Sequence, residues 1–410
     1  MIYFLLSLFL ISTMSCLSSS ANPEKNIISI RVQSKLNLPT IYIHNISSPY
    51  DSQIIMYLDG EKMDKFDKVL PVSDGKIHQV LLLFPKNFRD SCEKMFFEIK
   101  TVSEIKFTNF EGCTYTNSMF QNMYNLTKLN LDYFYTGFVT NMEMMFYGCN
   151  SLTSLDLKNF DTSRVTSMNS MFATCSSLTK IDNLNKLDTS QVNTMRYLFY
   201  ECSNLTSIDL SGFNTQNVVS MASMFSDCLS LKSIDVSKFD TRNVEYMNSM
   251  FKRNKLITSF DLSSFNTHKV KSLECMFYNC KSLEKIDLSG FDTSNVEKMD
   301  GMFFHTGLTS IDLSNFNTSK VYSMNNMFYS MFSLTSIDLS FFNTEKLENI
   351  GELFAYSYNL ISIDIRSFDF NKLKYKLRIF TGCYRLKYVR HPNCDFKYIG
   401  PAPNFTCITN

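Results

Sequence analysis

Twelve phenylalanines set the register of this chain. Phe96, Phe120, Phe146, Phe172, Phe199, Phe225, Phe251, Phe277, Phe303, Phe328, Phe354 and Phe380 follow one another at intervals of 24, 26, 26, 27, 26, 26, 26, 26, 25, 26 and 26 residues. A period this regular means one supersecondary unit stacked many times, each burying its apolar face against its neighbours. The length of 410 residues therefore says little about domain number, because a stack grows by nearest-neighbour contacts alone. Function in such a chain is read from faces.

The stretch from Leu152 to Phe172 shows the unit in two parts. Leu152, Leu155, Leu157 and Phe160 follow an L-x-x-L-x-L-x-x-F spacing, with Asp156 pointing outward between Leu155 and Leu157 as a half-buried strand requires. Val165, Met168, Met171 and Phe172 then occupy relative positions 0, 3, 6 and 7, the spacing of an apolar stripe on a short helix. Between them, Asp161-Thr162 offers side-chain oxygens to the free N–H groups that open a helix. The pair recurs at Asp188-Thr189, Asn214-Thr215, Asp240-Thr241, Asn266-Thr267, Asp292-Thr293, Asn317-Thr318 and Asn343-Thr344.

The repeat text C-x-S-L-x-S-L-D-L-x-x-F-D-T-S-x-V-x-x-M-x-x-M-F, legible from Cys149 to Phe172 and again from Cys280 to Phe303, resembles the leucine-rich repeat, in particular the 26-residue variant of BspA-like bacterial and protist surface proteins. The resemblance covers roughly three quarters of the chain. It implies an α/β repeat solenoid of the leucine-rich-repeat type, with about twelve rungs of strand plus short helix, exported to a cell surface for adhesion or recognition. It implies no enzyme activity and no cofactor.

Composition fits that expectation. The 37 Phe and 23 Met read largely as rung core, since Met fills irregular gaps well. A net charge of +1 gives no overall field to attract nucleic acid or an acidic membrane surface. Residues 1–20 carry no charged side chain and open with an apolar run, the pattern of a secretory signal cleaved between Ser15 and Ala21. A lipid anchor on Cys16 is the alternative. No transmembrane span is expected.

The domain organisation expected is a signal at 1–20, a β-rich N-terminal capping unit at 22–89, the solenoid at 90–387 and a C-terminal cap at 388–410. Within the first unit, Ile27 to Val32, Thr40 to His44, Gln53 to Leu58 and Ile77 to Phe84 read as strands separated by turn signals. A cap on the open end of the stack and a separate ligand-binding module are both compatible with them.

Half of the 12 Cys obey the repeat register: Cys149, Cys175, Cys202, Cys228, Cys280 and Cys383 each follow their rung's Phe by three residues. Met123, Asn254, Met331 and Ser357 replace them elsewhere, which suggests reduced, buried fillers. Stacked rungs place such positions about 4.8 Å apart, wider than the roughly 3.8 Å between Cβ atoms in a disulfide. The off-register residues Cys92, Cys113, Cys394 and Cys407 are the disulfide candidates, pairing at the first rung and beyond the last. No catalytic or metal-binding residue is nominated, because His44, His78, His268, His305 and His391 share no register and no ligand spacing.

Asp156, Asp182, Asp209, Asp235, Asp261, Asp287, Asp312, Asp338 and Asp364 occupy the outward strand position in nine consecutive rungs. They form a candidate partner-binding face, flanked by Ser two residues earlier in most rungs. Stacked like charges are mildly destabilising. Either hydrogen bonds to neighbouring Ser and backbone explain the repetition, or the ladder holds Ca²⁺ or a basic partner. A second candidate is the surplus of aromatics at Tyr329, Phe332, Tyr356 and Tyr358, which reads equally as a partner anchor or as drift in a tolerant loop. Candidate N-glycosylation sequons stand at Asn45, Asn125, Asn204, Asn317 and Asn404. The function expected is non-enzymatic recognition of an extracellular protein or glycan, with a self-associating coat or matrix component as the alternative.

Overall fold

The computed structural model describes residues 25–33, 50–64, 75–394 and 404–409. The predicted signal with Cys16, the strand expected at Thr40–His44 and the sequon at Asn45 lie outside them. Internal packing divides the chain into two units, Met1–Thr166 with Thr174–Leu187, and Ser167–Ala173 with Asp188–Asn410.

The first unit opens on a six-stranded sheet. Its strands are β1 (Lys25–Gln33), β2 (Ile55–Leu58), β3 (Glu61–Lys62), β4 (Ile77–Pro85), β5 (Val102–Thr108) and β6 (Lys128–Asn130), in the order β3-β2-β4-β1-β5-β6. Period-2 alternation makes β4 half-buried, with Val80, Leu82 and Phe84 inward. β1 pairs antiparallel with both β4 and β5, whereas β5 pairs parallel with β6. The antiparallel sheet thereby continues into the parallel stacking of the coils. A two-stranded sheet follows, β7 (Ser154–Asp156) beside β8 (Lys180–Asp182), with Asp156 opposite Asp182. Phe96, Phe120 and Phe146 stack one above the next at 5.5 and 5.6 Å. Cys92 and Cys113 are joined by a disulfide.

The second unit repeats one coil. A bridge ladder runs through Ser167, Thr194, Ser220, Tyr246, Ser272, Lys298, Ser323, Asn349 and Tyr375, one residue per coil and always parallel. Behind it the Phe column from Phe172 to Phe380 stacks at 5.5 to 6.0 Å. Each fully buried ring contributes roughly 1.5–3 kcal/mol through burial, and its offset partner adds about 0.5–1.5 kcal/mol. β9 (Ser336–Asp338), β10 (Ser362–Asp364), β11 (Tyr388–Arg390) and β12 (Thr406–Ile408) close the unit as a parallel sheet in the order β12-β11-β10-β9. The Cys394–Cys407 disulfide ties the segment after β11 to β12.

The repeat solenoid is thus present, but the expected α/β class is not. Among the described residues there is no α-helix, only two three-residue 3₁₀ turns, Asp51–Gln53 and Leu184–Lys186. The return leg predicted as a helix is a chain of tight turns. In the coil at Met221, N–H groups of Met221, Ser223, Phe225 and Asp227 donate to the next coil at 2.8–3.0 Å, while those of Met224 and Ser226 donate three residues back. A helix would direct nearly all of them four residues back along itself. Two residues per leg take the left-handed conformation that turns the chain, such as Ser223 at φ 55° and Asp227 at φ 63°. Apolar residues spaced by three satisfy this leg and a helical stripe equally, so periodicity alone could not separate them.

The strand expected in every rung is likewise only partly realised. In the coils around Asp209, Asp235, Asp261, Asp287 and Asp312 no strand forms at the Ser-x-Asp side. The partners of the Asp ladder differ from coil to coil. Asp182 has Lys180 at 2.6 Å, Asp156 has the Asn183 amide at 2.6 Å, and Asp364 has Arg366 and Arg390. Asp235, Asp261, Asp287 and Asp312 have no ion pair among the described residues, but neither has Asp338 in β9, so repulsion between stacked carboxylates does not by itself decide where the strand forms.

Candidate recognition surface

Three columns of side chains reach the surface of the coils. The first is the Asp ladder, and its carboxylates are already engaged. Asp209, Asp235, Asp261, Asp287, Asp312 and Asp338 each accept the N–H two residues on, at 2.9–3.1 Å. This is the local bond with which Asp closes a turn. Ser237 and Ser263 add their hydroxyls at 2.7 Å. The Ser237 and Ser263 hydroxyls, with their backbone N–H groups, hold Asp235 and Asp261 below the ordinary carboxylate pKa. At Asp364 burial pulls the other way, but Arg366 outweighs it and the net shift is downward. Hydrogen bonding within the coil therefore accounts for the repeated Asp. Among the described residues no three His, Cys, Asp or Glu are grouped as a metal site requires.

The second column corrects the capping role assigned to the Asp/Asn-Thr pairs, since there is no helix to cap. The acidic or amide residue closes a turn, as Asp292 does by accepting the Ser294 N–H at 2.9 Å. That bond, the Ser294 hydroxyl and His268 at 2.9 Å lower Asp292 to about 2. The Thr that follows is buried and joins coils. Thr241 donates its hydroxyl to the Asn266 carbonyl at 2.9 Å and accepts the Asn266 N–H at 2.7 Å. Thr136, Thr189 and Thr215 repeat both bonds.

The register cysteines do a related job inside. Cys149, Cys175, Cys202, Cys228, Cys280 and Cys383 each direct Sγ at the Phe carbonyl of the preceding coil, at 3.0–3.1 Å. Asn254 and Ser357 replace them with an amide and a hydroxyl aimed at the same carbonyl column, at 2.9 and 2.8 Å. They are donors as well as fillers. Burial pushes the Cys175, Cys280 and Cys383 thiols up to about 12, which leaves them protonated and unreactive.

The third column brings the aromatic candidates together. Tyr278 and Phe304 stack at 4.2 Å and 8°, Phe304 and Tyr329 at 4.5 Å and 5°, and Tyr329 meets Tyr356 at 5.3 Å. Tyr356 contacts Tyr358, which stacks in turn on Tyr384 at 5.9 Å and 14°. Phe332 stands to the side against His305. Tyr278, Phe304 and Tyr384 had no separate signal in the sequence, although Tyr278 and Phe304 share with Tyr329 the position directly after the core Phe. Burial raises the Tyr278 and Tyr329 hydroxyls above their ordinary pKa, so both are neutral. The sequons at Asn125, Asn204, Asn317 and Asn404 are all exposed.

The geometry defines a class: a β-solenoid repeat protein whose outward chemistry lies in columns, one residue per coil. The family model described as "Mycoplasma protein of unknown function, DUF285" matches three successive stretches, 90–207, 179–286 and 272–389. The chain belongs to that family. No curated protein and no solved structure matches it. Among the described residues no helix is long and apolar enough to cross a membrane.

Proposed function

We propose that the chain is a non-enzymatic surface protein that recognises an extracellular protein or glycan through the aromatic column of its late coils. The observation that carries this reading is the run of ring contacts from Tyr278 through Phe304 to Tyr329, which are stacked, and on to the tilted ring of Tyr356. Its contribution to the Phe core is small, and aromatic side chains with a polar tip are frequent anchors at binding surfaces. The Asp column is the weaker candidate because one oxygen of each carboxylate already closes a turn. Export rests on the uncharged, apolar segment 1–20, and surface use on the resemblance of the repeat text to BspA-like leucine-rich repeats.

The test compares adhesion of the purified protein to host cells and matrix with that of a variant carrying Tyr329→Ser, Phe332→Ser, Tyr356→Ser and Tyr358→Ser. A variant with Asp209, Asp235, Asp261 and Asp287 changed to Asn serves as the comparison, and circular dichroism monitors the fold of both. Loss of adhesion in the aromatic variant alone is expected. Loss in the Asn variant alone would return recognition to the strand side, and concentration-dependent assembly without adhesion would favour a coat.

A further inference from the structure

Charge is unevenly distributed along the chain. Residues 366–390 hold eight Lys or Arg against the single acid Asp369, although the whole protein carries only +1. The same coil exposes its apolar rings. Tyr384 at 76%, Leu377 at 65% and Tyr375 at 64% are the three most exposed large apolar side chains among the described residues, and Tyr388 stands at 47%. Burial in the core cannot account for them.

Part of the charge is committed. Lys374 pairs with Glu348 at 2.8 Å, Arg378 with Glu352 at 3.6 Å, and Arg366 and Arg390 share Asp364. Lys372 and Lys387 hold no ion pair among the described residues, and Arg385 only meets the neutral Asn359 at 3.0 Å. Glu348 and Glu352 of the preceding coil are thus paired, and positive charge is left over on Lys372, Arg385 and Lys387.

We propose that this last coil binds an acidic polysaccharide. Its cations and rings succeed one another around the coil: Lys374 to Arg378 on the turn leg next to the Asn349–Tyr375 bridge, Tyr384 and Arg385 in the loop, and Lys387 to Arg390 at β11. A flat bilayer meets one side of a coil at a time, whereas a linear polyanion can follow all three. Tyr384 stacks on Tyr358 with one face, and its high exposure leaves the other for the C–H face of a sugar ring. Arg385 and Lys387, one and three residues on, stand ready for carboxylate or sulfate groups. The polysaccharide, as opposed to nucleic acid, rests on the surface location proposed above.

Calorimetric titration of the purified protein with heparin, dextran, single-stranded DNA and phosphatidylserine vesicles tests this. Heparin should bind and dextran should not. Between about 50 and 200 mM salt the affinity should fall on the order of tenfold to a hundredfold, as counterion release at about three cations predicts. Combined Lys372→Gln, Arg385→Gln and Lys387→Gln should flatten that salt dependence, and Tyr384→Ser should weaken binding while preserving it. Unchanged heparin binding in the triple variant, or tighter binding of DNA or vesicles than of heparin, overturns the proposal. Because the triple Lys/Arg variant replaces no ring of the aromatic column, adhesion that survives it while heparin binding is lost would leave the aromatic-column reading standing by itself.

Discussion

At the scale of single residues, coil-to-coil cohesion depends on hydroxyl and thiol groups that replace backbone bonds. Thr241 is 1% exposed yet serves both the carbonyl and the N–H of Asn266. Thr241→Val keeps the shape and removes both bonds, leaving the part-buried N–H and carbonyl of Asn266 without this partner, so chemical denaturation should show a loss of about 1–3 kcal/mol. Thr241→Ser should recover most of it. The sequence displayed this column as a repeated Asp/Asn-Thr pair but assigned it to the wrong task, because a side-chain oxygen that caps a helix and one that joins two coils use the same residue types. The cysteines were more legible. That Asn254 and Ser357 stand in for Cys was visible from the register, and both are donors; only the coordinates show the Phe carbonyl that receives them.

At the scale of the element, the turn leg is where the sequence was hardest to read. Val165, Met168 and Met171 mark its buried side correctly, since all are fully buried. Their spacing by three is common to a helix and to successive tight turns. A discriminating signal was present in the residue before the register Cys: Gly148, Asp227, Asn279 and Gly382 all have positive φ, the conformation that Gly, Asn and Asp tolerate best. At Gly148 a Cβ would also fall 2.4 Å from the Asn122 side-chain oxygen. The carboxylates closing the turns elsewhere in the coil give the coil a pH dependence. Asp235, Asp261, Asp287, Asp292 and Asp312 are lowered in the folded chain, so their contribution is complete above the unfolded value of about 4 and disappears as pH falls through the folded one. The thermal midpoint should hold steady from neutral pH to about 5 and drop between about 4 and 2. Asp292→Asn, which keeps an oxygen for the Ser294 N–H, should flatten part of that drop.

At the scale of the whole molecule, the period in Phe revealed the stack and its core before any coordinate did, and the pairs Cys92–Cys113 and Cys394–Cys407 are those the broken register singled out. What one sequence could not show is which strand sides pair: Asp156, Asp182, Asp338 and Asp364 stand in paired strands while Asp209, Asp235, Asp261, Asp287 and Asp312 do not, although all share one repeat text. A linear stack couples each coil to its neighbours alone, so damage at an end should spread inward by steps. Removing the second disulfide with Cys394→Ser and Cys407→Ser closes no 13-residue loop and should cost about 2–4 kcal/mol locally. Hydrogen exchange should then rise first in β11 and β12, less in β10, and little at the Ser220–Tyr246 bridge; a uniform rise would show that the coils unfold together. The sameness of the ladders also bears on inheritance. The 3₁₀ turn Leu184–Lys186 lies within the one 27-residue interval, so a single extra residue is taken up locally while the Thr and Phe columns keep step. A gene that gained or lost one complete coil by unequal crossing-over would rejoin Thr to Asp and Phe to Phe across the scar, which makes the length of this protein a trait that can vary between lineages without any new contact having to be invented.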